Sequence, residues 1–138
     1  RASNQFSVII AGLAVGIANS IVPIIALIYF RTRPFEILDV NLLFYQPTDP
    51  SFPSNPICII FAMAGGISYG NKSASNILYG LGCIYGFSRM YSGVCYPLDV
   101  IGGMLIGYFS ALIAGCVLKK IDYYNAIFMK ITKFFCLS

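Results

Sequence analysis

Long apolar segments alternate along the chain with short polar ones. Phe6 to Phe30 carries no charge over 25 positions. A helix rising about 1.5 Å per residue needs about 20 residues to cross the hydrocarbon, so this is the first expected span. Pro23 is expected to kink its last turns, which a membrane helix tolerates when neighbours satisfy the freed carbonyl. Pro56 to Gly70 is apolar over 15 residues, short for a span unless it begins among the headgroups. Pro56 suits a first helical turn, where its missing N–H is no loss. Beyond an Asn71-Lys72-Ser73 turn, a third helix is expected to run to Phe87 with Ser75 or Asn76 as its N-cap. Ser88 to Pro97 breaks the pattern, and Leu98 to Leu118 is the last span. The pattern predicts an all-α, polytopic transmembrane helical bundle with four spanning helices and flanking interfacial ones.

The connectors differ in character. Residues 31 to 55 contain four prolines and the charges Arg31, Arg33, Glu36, Asp39 and Asp49. Phe35 to Tyr45 is apolar on one side and predicts a short helix lying in the interface. Pro47, Pro50 and Pro53 make Gln46 to Asn55 extended or turn-like. In the tail, Ile127, Ile131 and Phe134 or Phe135 recur at helical spacing, with Lys130 and Lys133 on another side. This predicts an interfacial helix or a frayed terminus. The expected division is a membrane domain over 1–122 and a tail over 123–138. Gly12/Gly16, Gly82/Gly86 and Gly103/Gly107 are spaced to let backbones approach closely, and three such pairs argue for a tight bundle, while an uncovered pair on the first helix would be a docking face for a membrane protein partner if further spans were missing. The alternative is that glycine is simply common in membrane helices.

Composition sharpens this picture. The chain is 58% hydrophobic and 10% charged, which leaves too little charged surface for a water-soluble globule. The net charge of +4 is small, and its Lys and Arg residues do not gather with aromatics as a nucleic-acid surface would need. Cys58, Cys83, Cys95, Cys116 and Cys136 show neither CxxC spacing nor a disulfide framework. There is no histidine, so the commonest general base and transition-metal ligand are missing, and nothing calls for a haem, flavin, metal or nucleotide cofactor. The chain opens on Arg1 and not on Met, from which residues upstream are expected.

If the segments alternate in direction, Arg31 to Pro34, Ser51 to Pro56 and Ser88 to Asp99 share one face. Arg1, Lys72, Lys119, Lys120, Lys130 and Lys133 lie at the other, which the positive-inside bias assigns to the cytoplasm, so the three-loop face looks outward. Arg33, Arg89 and a third arginine, Arg31, would meet there at the start of a helix preceded by Ser54. Guanidinium forks and helix-start N–H groups both suit phosphate oxygens, and at a bilayer surface the phosphate belongs to a lipid. The plainer alternative is arginines that only snorkel to headgroups.

The order Arg31-Thr32-Arg33-Pro34-Phe35, then Ser51-Phe52-Pro53-Ser54-Asn55, then Ser88-Arg89 leading to Cys95 and Asp99-Val100-Ile101-Gly102-Gly103 resembles three signature motifs. They are those of the type 2 phosphatidic acid phosphatase and haloperoxidase (PAP2) superfamily. The resemblance covers residues 7 to 118. Membrane members include bacterial undecaprenyl-pyrophosphate and phosphatidylglycerophosphate phosphatases. It implies a PAP2-like fold in a bacterial inner membrane and a polyprenyl or glycerolipid phosphate as ligand. The family's membrane members usually have about six spans, which implies two helices ahead of the four read here.

Matched position by position, Arg33, Ser54, Asn55, Ser88 and Arg89 keep the family's phosphate-binding set, and Asp99 keeps the aspartate that orients a nucleophilic histidine. Three positions depart. Ala26 occupies the lysine position, Pro56 that of the proton-donating histidine, and Cys95 that of the nucleophile. The resemblance with these departures implies a lipid-phosphate site that has lost catalysis, in a binding or structural subunit of a membrane assembly, its arginines either holding phosphate or pairing with Asp99 or Asp49. The alternative is an active phosphatase in which Cys95, beside Arg89, attacks phosphorus as a thiolate; Asp99 is the other candidate catalytic residue, though it is arranged for an imidazole and would raise a nearby thiol's pKa. A purely structural bundle is the third reading.

Overall fold

The structure, a computed structural model, describes residues 2–33 and 50–135, with side chains over 6–33 and 50–120. The described residues form four helices: α1 Ala2–Ile28, α2 Asn55–Ile67, α3 Lys72–Tyr91 and α4 Pro97–Phe135. The expected all-α class is observed, and no strand occurs among the described residues.

α2 is the centre. Its 13 residues pack against α1, α3 and α4, whereas α3 barely touches α4. On α1 the buried stripe is Ile10, Ala14, Ala18 and Val22, one face of a helix turning every 3.6 residues. It meets Cys58 and Ala62 of α2 and Ala111 and Ala114 of α4. Small side chains dominate this seam, so the helix axes come close. Gly66 is essential to it, because a Cβ there would run into the Ala11 backbone. Gly103 and Gly107 do the same for α4, where a Cβ would meet Ser54 and Cys58 carbonyls.

The Gly12/Gly16 pair does not follow the expectation of a packed face: nothing lies within 4 Å of a Cβ at either position. α1 turns its alanine stripe inward instead. Its outer face presents Val8, Ile24, Leu27 and Ile28, all more than half exposed, a surface suited to lipid.

Among the described residues, two helices are long and apolar enough to cross a membrane, Phe6–Ile28 and Pro97–Lys120. α2, at about 20 Å, falls short of the hydrocarbon thickness of about 30 Å. α3 has the length, but its Lys72, Ser, Asn, Gly and Arg89 residues dilute its hydropathy.

Several boundaries differ from those expected. Asn71, not Ser75 or Asn76, caps α3: its backbone is extended and its side chain accepts from the Ala74 N–H at 3.1 Å. Ser75 points inward and donates to the Ala64 carbonyl at 2.8 Å. α3 continues past Phe87 through Ser88 and Arg89 to Tyr91, because nothing before Gly93 ends it. Gly93, at φ 70°, then closes the helix, with its N–H on the Met90 carbonyl and the Val94 N–H on the Arg89 carbonyl. α4 runs unbroken from Pro97 to Phe135 over 39 residues, with no glycine or proline after Gly115 to interrupt it. The interfacial helix expected over Phe35–Tyr45 lies outside the described residues. Residues 50–54 have no regular structure, as the prolines predict.

Candidate functional site

The end of the bundle where α1 finishes, α2 starts and α3 turns into α4 contains a cavity of about 610 Å³. Arg33 reaches it from the segment after α1, Ser54, Asn55 and Pro56 from the start of α2, Arg89 from the last turn of α3, and Cys95 from the turn before α4. Local sequence explains the convergence. Pro56 in the first helical turn sets α2 going from Ser54, and the Gly93 closure returns the chain from α3 so that Val94 and Cys95 face α2.

Arg33 is 5% exposed, and its guanidinium donates to the Val94 carbonyl at 3.3 Å and stands 4.0 Å from the Cys95 sulfur. Cys95 in turn lies 4.0 Å from the Ser54 hydroxyl. Arg89 is half-buried. It donates to the Tyr85 hydroxyl at 3.1 Å and reaches Cys95, and its Nε has no partner among the described residues. Two guanidinium groups and a hydroxyl thus surround one sulfur at the wall of an open cavity. Such donors in a partly desolvated site favour an anion with several oxygens.

Of the two roles the sequence left open for Asp99, the structure shows, among the described residues, the pairing with an arginine and no bond to position 95. Asp99 is fully buried, does not line the cavity, and takes hydrogen bonds from Arg31 at 3.0 Å, from the Tyr96 N–H at 3.0 Å and from the Ser51 hydroxyl. Arg31 also stacks on the Tyr96 ring, 4.1 Å from its centroid. Of the three arginines expected to share an anion, Arg33 and Arg89 line the cavity and Arg31 is committed to Asp99. Ser88 does not line it either: it is exposed on α3, and its carbonyl accepts from Ser92.

The positions that depart from the resemblance fall on the same cavity. Ala26 lines it with Asn19, Val22 and Pro23, one face of α1. That wall was missed from sequence, although Asn19 is a polar residue in an otherwise apolar run. Tyr85 and Ser51 were missed as well. Tyr85 lies one turn before Arg89, a spacing at which helix side chains meet.

Residues 7–122, most of the chain, match the PAP2 superfamily. The chain belongs to the PAP2 superfamily. It is 34% identical over 135 residues to the undecaprenyl-diphosphatase BcrC of Bacillus subtilis (strain 168), covering 91% of this chain and 69% of that protein. It is 33% identical over 121 residues to the bacitracin transport permease protein BcrC of Bacillus licheniformis, covering 87% and 60%. The crystal structure of Aquifex aeolicus LpxE superposes with a TM-score of 0.71 at 34% identity, over 80% of this chain and 67% of that one. The chain therefore spans between 60% and 69% of the length of these three proteins. With two apolar helices long enough to cross a bilayer, this PAP2 lipid-phosphatase-like chain is a membrane protein.

Proposed function

We propose that the cavity binds the phosphate of a membrane lipid, polyprenyl or glycerolipid, without hydrolysing it. One observation carries this reading: Arg33, Arg89, Ser54 and the start of α2 line a single cavity, while the positions of acid and nucleophile in that cavity hold Pro56 and Cys95. Pro56 has no titratable group, and loss of a general acid costs about 10²–10⁴ in rate. Asp99 accepts from Arg31 and Ser51 and is not spent on orienting a nucleophile.

The placement of charge supports a site on the outer face of a bacterial inner membrane. Arg31, Arg33 and Arg89 stand at the cavity end. Lys72 opens α3 at the other end, near the turn where Lys119 lies 5.1 Å from the centre of the Tyr69 ring. The lysine end then takes the cytoplasmic side.

The test is calorimetric titration of the full chain in detergent with a short-chain lipid phosphate, beside a phosphate-release assay on phosphatidate and a polyprenyl diphosphate. Saturable binding that Arg89→Ala weakens about tenfold or more, with no release above background, supports the reading. Release that scales with protein and disappears in Cys95→Ser replaces it with the second reading.

That second reading, Cys95 as nucleophile, is favoured by the nearness of its sulfur to Arg33 and Ser54. The thiolate would form an S–P bond as the P–O bond to the lipid breaks. The departing alkoxide would take its proton from water, and a second water would cleave the S–P bond.

A further inference from the structure

We infer that Asp99 is a positioning residue for anion binding: through Arg31 and Ser51 it holds the two segments that aim Arg33 and Ser54 into the cavity. The inference rests on the proposed phosphate site and adds to it the element that builds it.

Four contacts converge on this one residue. Its carboxylate takes the Arg31 guanidinium on one oxygen, and the Ser51 hydroxyl and Tyr96 N–H on the other. Its backbone carbonyl accepts from the Ser54 N–H at 3.1 Å. The Ser51 N–H in turn donates to the Arg31 carbonyl at 2.9 Å, tying the segment after α1 to the segment before α2. Arg31 is two residues from Arg33, and Ser51 is three from Ser54. Neither segment has regular structure to hold it, so the register of both cavity-lining groups depends on the first turn of α4. A buried carboxylate with three donors is a rigid anchor, and removing its charge leaves Arg31 half-buried without its partner.

The anchor also accounts for the third arginine. Because Arg31 is neutralised by Asp99 and stacked on Tyr96, it supplies alignment and leaves the cavity's attraction for an anion to Arg33 and Arg89.

The experiment compares Asp99→Asn with the unaltered chain in lipid nanodiscs, using two readouts. The first is the ratio of labelling rates at Cys95 by an anionic sulfonatoethyl methanethiosulfonate and a neutral methyl one, read by peptide mass spectrometry. Removing a nearby negative charge would by itself raise this ratio. Loss of Arg33 from beside the sulfur lowers it, so the expected result is a fall toward the value of Arg33→Met. The second readout is protection of Cys95 by a short-chain lipid phosphate, expected to need about tenfold more ligand in Asp99→Asn. Arg31→Met combined with Asp99→Asn is expected to weaken protection no more than Asp99→Asn alone.

A labelling ratio that rises or stays level in Asp99→Asn overturns the inference, as does a multiplicative loss in the double variant. If Asp99→Asn does not fold, Ser51→Ala must shift both readouts in the same directions, and an unchanged Ser51→Ala overturns the inference. Absence of protection in the unaltered chain overturns the phosphate site, and the labelling ratio then judges the positioning role by itself.

Discussion

The Cys95 sulfur and the Ser54 hydroxyl, 41 residues apart in sequence, stand 4.0 Å from each other at the cavity wall. A thiol is a weak donor and a weak acceptor, so this pair adds little to the hold on an anion beside two guanidinium groups. Cys95→Ser is therefore expected to leave the affinity for a short-chain lipid phosphate unchanged in calorimetry, and to leave phosphate release at background. A marked loss of affinity in this variant would mean that the sulfur, and not the arginines, organises the site.

Restoring the two family side chains should restore chemistry, because the binding half of the cavity is in place. Cys95→His supplies a nucleophile, but the leaving alkoxide still lacks a proton source while position 56 is proline. Adding Pro56→His supplies it, and phosphate release from the double variant is expected to exceed that of Cys95→His by about 10²-fold or more. Equal rates for the two would show that the cavity does not bring position 56 to the leaving group.

Arg89→Ala and Arg33→Ala are each expected to weaken lipid-phosphate binding by about tenfold to a hundredfold, the worth of a hydrogen-bonded charge in a partly desolvated site. Arg89→Lys should recover only part of this, since an ammonium cannot span two phosphate oxygens or reach Tyr85 in the same way. Ser88→Ala should change nothing, because that side chain lies on the exposed surface of α3 away from the cavity. A titration series over these four variants decides between a built anion site and arginines that merely face headgroups.

The features that were legible in the sequence are those that local pattern dictates. Unbroken apolar runs gave α1 and the first part of α4, Pro56 marked the start of α2, and the order of Arg33, Ser54, Arg89 and Cys95 gave the cavity. What escaped depends on three-dimensional competition. Ser75 looks like a cap but finds a carbonyl on α2, which leaves the role to Asn71. Gly12 and Gly16 match the spacing of Gly103 and Gly107, yet which face of α1 packs was set by the alanines at 14 and 18. Arg31 and Arg33 are two apart and chemically alike. Only the position of Asp99 separates the one that builds the site from the one that lines it.

That contrast between glycine pairs gives a stability test. A Cβ at Gly103 would sit 2.7 Å from the Ser54 carbonyl oxygen and 3.2 Å from the Ile57 Cβ, contacts that α2 can relieve only by moving its own first turn. Gly103→Ala is expected to destabilise by about 1–3 kcal/mol, as overpacking does, and to weaken phosphate binding with it because Ser54 is displaced. At Gly12 the same substitution meets nothing, so only helix propensity acts, and Gly12→Ala is expected to be neutral or stabilising by up to about 1 kcal/mol. Thermal unfolding of both variants in detergent measures the difference. Equal destabilisation would require the Gly12 face to be covered by another helix, and would return that pair to the packing role its spacing first suggested.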